Sequence, residues 1–346
     1  MSTKLEIESS QPSSERRLKQ ESARLIQILN PLRQVLTTWY LGFLKKLSNL
    51  SVELEPERKI DSQKYLDQAL SELQAGKSIL VPFVPHKGSL DALVLFFVLS
   101  QWLSPNFFAI ISSIKFELRR AISRGGVSQN MGRVTASGLV ELIMRGLFSL
   151  DPLAMRLPIV QKYLIQQLKD PTDQQKANVH NQQMVDKMFE NIHQHPLIVG
   201  ISPEGSRGKT GGVQRVVRGS FSQFALHKNE LSFFQPIVLT SPTGIKSDAK
   251  LHRIFEKTRI QVTFGQPLSL TEAGKLVGQF YFTDDVARWS TSRNPVQPGE
   301  KLHLDDIVMW WIVQDLPNEE RGVYSEGCIG QKIDEDKGLS QKIETN

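Results

Sequence analysis

A short apolar run that ends in a polar turn and restarts as an apolar helix constrains this chain more than any other feature. Ser78-Ile-Leu-Val-Pro-Phe-Val84 has the length and character of a buried strand, and the stretch through Leu99 reads as a buried helix. Between them stands His86-Lys87-Gly88-Ser89-Leu90-Asp91, with Ser89 a good helix N-cap. Strand-like runs recur near 78–84, 107–111, 197–201, 235–240 and 258–264, with helical stretches between them. That alternation predicts an α/β fold, a mixed sheet flanked by helices and preceded by an N-terminal helical segment.

His86 falls on the loop that joins strand to helix, and Asp91 falls in the first helical turn, where the helix dipole favours a carboxylate. A bond from Asp91 to the far ring nitrogen would fix one tautomer of His86 and leave the other nitrogen as a general base. In isolation the same residues also describe a surface histidine beside a helix-capping aspartate.

A second strand, Ile198-Val-Gly-Ile-Ser, runs straight into Pro203-Glu204-Gly205-Ser206-Arg207. Pro203 and Gly205 supply turn geometry, which should leave Glu204 and Arg207 exposed at the carboxyl end of the strand, where α/β sheets bind ligands. Lys209, Arg215 and Arg218 follow, and no Asp or Glu occurs from Gly205 to Asn229. Such a stretch suits a phosphate, gripped by Arg in bidentate fashion and by Lys as a point charge. It also suits a solvated basic loop.

Together, HKGSLD and ISPEGSR resemble the paired motifs of the PlsC-type glycerolipid acyltransferase family, H-x-x-x-x-D followed by F-P-E-G-T-R. Lys115-Phe-Glu-Leu118 is similar to the family's K-x-E-L segment, Gln235-Pro-Ile-Val-Leu239 to its fourth block, and Val262-Thr-Phe-Gly-Gln-Pro267 to its F-G-x-P strand end. The stretch from Met309 to Tyr324 resembles the C-terminal ending of some members, so the likeness covers about residues 78–325. It implies a glycerol-3-phosphate acyltransferase-like fold. The implied activity moves an acyl group from acyl-CoA or acyl carrier protein to glycerol 3-phosphate or 1-acylglycerol 3-phosphate, with no further cofactor. His86 and Asp91 would be catalytic, and Glu204, Gly205, Ser206 and Arg207 would bind the acceptor, with Lys115 and Lys209 adding charge. The wide spacing of the two motifs is closer in style to the soluble plastid glycerol-3-phosphate enzymes than to the short bacterial lysophosphatidate enzymes. Ser206 stands where Thr is commoner, and the family's strand-end Arg has two candidates, Arg124 and Arg156. A protein that keeps this fold only to bind lipid or membrane is the alternative, since fold does not guarantee chemistry.

With 40% apolar and 23% charged residues the composition is that of an ordinary globular protein, and the net charge of +6 points to an anionic partner. Lys115, Arg119, Arg120, Arg124 and Arg133 oppose Glu117 alone between Ser112 and Val140. Neither stacking platforms nor a recognition helix is legible, so phosphorylated small molecules and acidic headgroups are favoured over nucleic acid. One cysteine, Cys328, excludes an internal disulfide and a Cys-rich zinc site, which suits a reducing compartment. His180, His193 and His195 lack a carboxylate at a recognised metal spacing, so no metal is expected. The uncharged stretch Ala92 to Ile114 is broken by Gln101, Pro105 and Asn106, and reads as a helix, a turn and a strand rather than a span. The polar N-terminus has no secretory core, which predicts a cytoplasmic protein peripheral at a membrane, or a stromal one where a transit segment has been removed.

Along the chain, 1–18 reads as disordered, 19–76 as helical, 77–327 as the acyltransferase α/β domain and 328–346 as a polar, disordered tail. Glu21 to Leu47 carries an apolar stripe punctuated by Pro31, where the helix should bend or restart. With Trp39, Tyr40, Lys45 and Lys46 it suits both an interfacial membrane helix and a helix packed on the main domain. Asp61 reads as the cap of a second helix, and Val134 to Gln194 as mostly helical, shaping an acyl-chain groove or serving as scaffold.

Overall fold

The computed structural model describes residues 13–48, 50–85, 90–103, 107–113, 151, 153–160, 165–166, 168–204, 212–227, 231–240, 258–290 and 295–331. They build an α/β architecture around a mixed sheet of eight strands. Its strands are β1 (Leu50–Leu54), β2 (Ser78–Val84), β3 (Phe107–Ser113), β4 (Ala154–Ile159), β5 (Leu197–Ile201), β6 (Leu231–Phe234), β7 (Ile237–Thr240) and β8 (Thr258–Phe264). The order is β1-β8-β7-β2-β5-β3-β4, with β6 also paired to β2. Strands β7, β2, β5, β3 and β4 are mutually parallel, and β8 runs antiparallel to β7. A small antiparallel pair, β9 (Phe280–Phe282) and β10 (Ile329–Gln331), stands apart.

Both faces of the sheet are covered, which is why β2 and β5 are apolar without alternation. Ile79, Val81 and Phe83 pack with helices α2 (Lys59–Gln74) and α3 (Leu90–Trp102). Leu80 and Val84 share the opposite core with α4 (Pro171–Gln194), α5 (Leu270–Leu276) and α6 (Leu304–Ile312). Gly200 lets α3 approach, because a Cβ there would stand 2.7 Å from Leu95 Cδ2. Pro82 lies where pairing on one side of β2 passes from β6 to β7, a break that tolerates a residue with no N–H.

Five sequence expectations change. Helix α1 (Ser13–Ser48) starts ahead of residue 19 and continues through Pro31 as one helix, with Arg33 anchored two residues beyond. The 19–76 segment is not purely helical: β1 extends the sheet by parallel pairing with β8, and α2 packs on β8 and β2. Asp61 lies in the first turn of α2 rather than at its cap, since a 3-10 turn at Pro56–Arg58 leads in and Arg58 is the N-cap. Within 134–194, residues 154–159 form an edge strand that carries Pro158, and α4 begins at Pro171 under an Asp170 cap that accepts from Thr172 N at 2.8 Å. The expected tail likewise opens with β10, tied to β9.

Candidate functional site

The sheet order puts the strands that lead into the two motifs side by side. Strand β2 pairs in parallel with β5, from Ile79 opposite Ile198 to Pro82 opposite Ile201. On the other flank of β5 lies β3, parallel again, with Ile110 opposite Gly200. The three chains therefore leave the sheet at the same carboxyl edge, from strands about 4.8 Å apart. His86 follows β2 by two positions, Lys115 follows β3 by two, and Glu204 follows β5 by three. His86, Lys115, Gly205, Ser206, Arg207 and Lys209 lie outside the described residues, as does Arg124. Asp91 is the second residue of α3, in its first turn.

Glu204 corrects the sequence reading. Instead of standing exposed it is buried, at 3% of its accessible surface. The chain returns over it: Gln214 N donates to Glu204 Oε2 at 3.2 Å, and Val217 N donates to Pro203 O at 3.2 Å. An ionised or hydrogen-bonded carboxylate in such a turn holds the turn's shape. Among the described residues, the buried Ser202 Oγ beside it has no hydrogen-bond partner.

The returning segment 212–222 is fixed by residues near the C-terminus. Arg215 is neither a phosphate cation nor part of a solvated loop. Its Nε and Nη2 donate to Asp306 at 3.0 and 2.8 Å, and its Nη1 and Nη2 donate to Glu300 at 2.8 Å each. The guanidinium also lies over the Phe282 ring, 5.0 Å from its centroid. Burial works against this charge, but its bonds to Asp306 and Glu300 outweigh it and raise the arginine's pKa above its ordinary value. Glu300 is held below the usual carboxylate range, chiefly by its bond to Arg215. Arg218, largely exposed, adds a bond to Glu300 Oε1 at 2.8 Å.

Two further groups complete the clamp. Asp305 accepts from Gly219 N, Phe221 N, Ser222 N and Ser222 Oγ at 2.6 to 3.1 Å. Tyr324, fully buried, donates its hydroxyl to Asp306 Oδ1 and accepts from Val216 N, both at 3.1 Å. Burial, first of all, pushes its phenol well above the usual pKa, so it stays a donor. Val213 N donates to Glu320 O at 2.9 Å, and Gly322, at φ +58°, lets the backbones touch, since a Cβ there would stand 2.0 Å from Val213 O.

Sequence reasoning missed this clamp because the acidic partners of Arg215 lie 85 and 91 positions away. One signal was visible: Asp305 and Asp306 open an otherwise apolar helix, LDDIVMWWI, and a buried carboxylate needs a donor. Arg156 sits within β4, opposite Ile110, rather than at a strand end. Gln235 and Gly265 serve the sheet: Gln235 Nε2 donates to Gly265 O at 2.9 Å, and Gly265 N donates to Pro236 O at 3.0 Å. His180 bonds Pro158 O, and His195 packs at a tilt against Phe107 with its pKa lowered by burial. Among the described residues no group of His, Cys, Asp or Glu could hold a metal. Compared with known families and with curated proteins, the chain matches no family model and no curated protein.

Proposed function

We propose that this chain is an O-acyltransferase of the glycerol-3-phosphate acyltransferase type, moving a fatty acyl group from acyl-CoA or acyl carrier protein to glycerol 3-phosphate or 1-acylglycerol 3-phosphate. What supports this reading is the β2-β5-β3 order, which brings the chain leaving each motif-bearing strand to one edge. His86, oriented by Asp91, takes the acceptor's hydroxyl proton as that oxygen attacks the thioester carbonyl. The new C–O bond forms, the C–S bond breaks, and the thiolate leaves with the proton from the imidazolium. Backbone N–H groups of the turns after β2 and β5 are the natural donors to the transient oxyanion. Arg207 grips the acceptor phosphate, Gly205 and Ser206 shape the turn, and Lys115 and Lys209 add positive charge. Glu204, being buried, acts as a positioning residue: it holds the turn that presents Arg207. The enzyme would work in the cytoplasm or an organelle stroma, peripheral to a membrane.

The test is thiol release from each donor with each acceptor offered in turn. His86→Ala should lower turnover by roughly a hundredfold or more. Arg207→Ala should raise the acceptor KM with little change in the donor KM. Glu204→Ala should raise the acceptor KM as well, and Glu204→Gln, which keeps an acceptor for Gln214 N, should restore most of it. No release by the wild type with any pair, or wild-type turnover in His86→Ala, would overturn the reading and leave lipid binding without catalysis.

A further inference from the structure

Helix α1 carries a stripe of exposed apolar side chains. Leu25, Ile28, Leu32, Val35 and Trp39 recur in steps of three and four, which aligns them on one side of the helix. Their exposures run from 45% to 72%, so the stripe is a continuous patch over four turns rather than scattered surface hydrophobics. The helix docks by another side. There Arg33 is buried, and its Nε donates to Asp151 Oδ2 at 3.1 Å with the guanidinium over the Phe108 ring. Asp151 Oδ1 in turn accepts from Leu153 N at 2.9 Å, and Leu153 O accepts from Phe108 N at 2.9 Å. This pin fixes α1 to the starts of β3 and β4 and leaves the stripe facing outward.

We infer that the stripe is a membrane-contacting surface, lying along a bilayer that bears anionic lipid with its side chains in the headgroup and upper acyl region. Charge selects this occupant over a second copy of the chain. Besides Arg33, α1 contains six Lys and Arg residues at both of its ends and only two acids, Glu15 and Glu21. Two such helices packed together, in either direction, would bring excess cations into opposition, whereas anionic headgroups neutralise them. Trp39 near the carboxyl end of the stripe, followed by Lys45 and Lys46, has the order of interfacial helices. No helix of the described residues is long and apolar enough to cross a membrane, so the contact is one of lying on the surface. This names the surface behind the peripheral membrane location given in the proposed function and rests on that location, not on acyl transfer.

The experiment uses the full chain with vesicles of phosphatidylcholine alone or mixed with phosphatidylglycerol, read by co-sedimentation at low and high salt. Binding should be at least about tenfold tighter to the anionic vesicles and weaken with salt. Ile28→Ser combined with Val35→Ser should lower it by at least about tenfold while keeping the wild-type circular dichroism and urea-unfolding midpoint. Brominated lipid should quench part of the tryptophan emission of the wild type, and Trp39→Phe should remove that part. Wild-type protein that ignores anionic vesicles, a double variant that binds as well as wild type, quenching that survives Trp39→Phe, or a dimer that the double variant dissolves would each overturn the inference.

Discussion

Two buried arginines hold two different pieces of this chain, and they do so in different ways. Arg33 fastens a long helix to the sheet through Asp151, and most of the helix's circumference remains in water. Arg215 lies within a loop that is enclosed: two carboxylates grip it, Tyr324 and Asp305 hold the residues on either side, and Gly322 closes against Val213. A pinned helix can serve as an attachment surface because little else depends on its exact seat. A loop that covers Glu204 at the edge of the sheet has no such latitude, since a displacement there removes the Gln214 N–H from a buried carboxylate.

Removing each arginine tests the contrast most directly. Arg215→Met should cost about 3–5 kcal/mol in urea unfolding, because it leaves Asp306 and Glu300 facing one another without their cation. A loss near 1 kcal/mol would mean the loop is held no more firmly than the helix. Arg33→Met should cost less, about 1.5–3 kcal/mol, since Asp151 keeps its bond from Leu153 N. An equal or larger loss than for Arg215→Met would reverse the comparison.

A pH series sharpens it further. Glu300 has a folded-state pKa depressed by Arg215, so its contribution is present above the unfolded value of about 4.3 and is lost as pH falls through the lower folded value. Thermal unfolding of the wild type should therefore lose stability on that acid limb, and Glu300→Gln should flatten it. An unchanged limb in that variant would assign the acid sensitivity elsewhere. The smallest effect belongs to the stripe: Ile28→Ser with Val35→Ser should change unfolding free energy by no more than about 0.5 kcal/mol, as expected for side chains already in water. A loss of 2 kcal/mol would show that they support the fold.

The strands that feed the candidate site were readable from their residues alone. Ser78–Val84 and Leu197–Ile201 are continuous apolar runs bounded by turn residues, and they form β2 and β5 at those positions. Strand β4 was not readable, because AMRLPI is short and its Pro158 is tolerated only by virtue of lying at the sheet edge. Strand β1 was hidden too, since LSVEL has few apolar residues and gains its place from pairing with β8. At the site, the turn at Pro203 was legible, but the burial of Glu204 was not. Its carboxylate is covered by Gln214, whose segment is held by acids and a tyrosine near the other end of the chain.

By itself, then, the sequence determined the strands and helices with a clear apolar pattern, which motifs follow them, and that α1 would carry an apolar stripe among cations. Those properties are set by local periodicity and by residue type. Tertiary structure decided that β2, β5 and β3 stand together, that Glu204 and Arg215 face inward, and that the stripe on α1 stays exposed while Arg33 takes the docked side. Neighbours and burial depend on contacts between residues far apart in the chain, and no spacing along the chain encodes them.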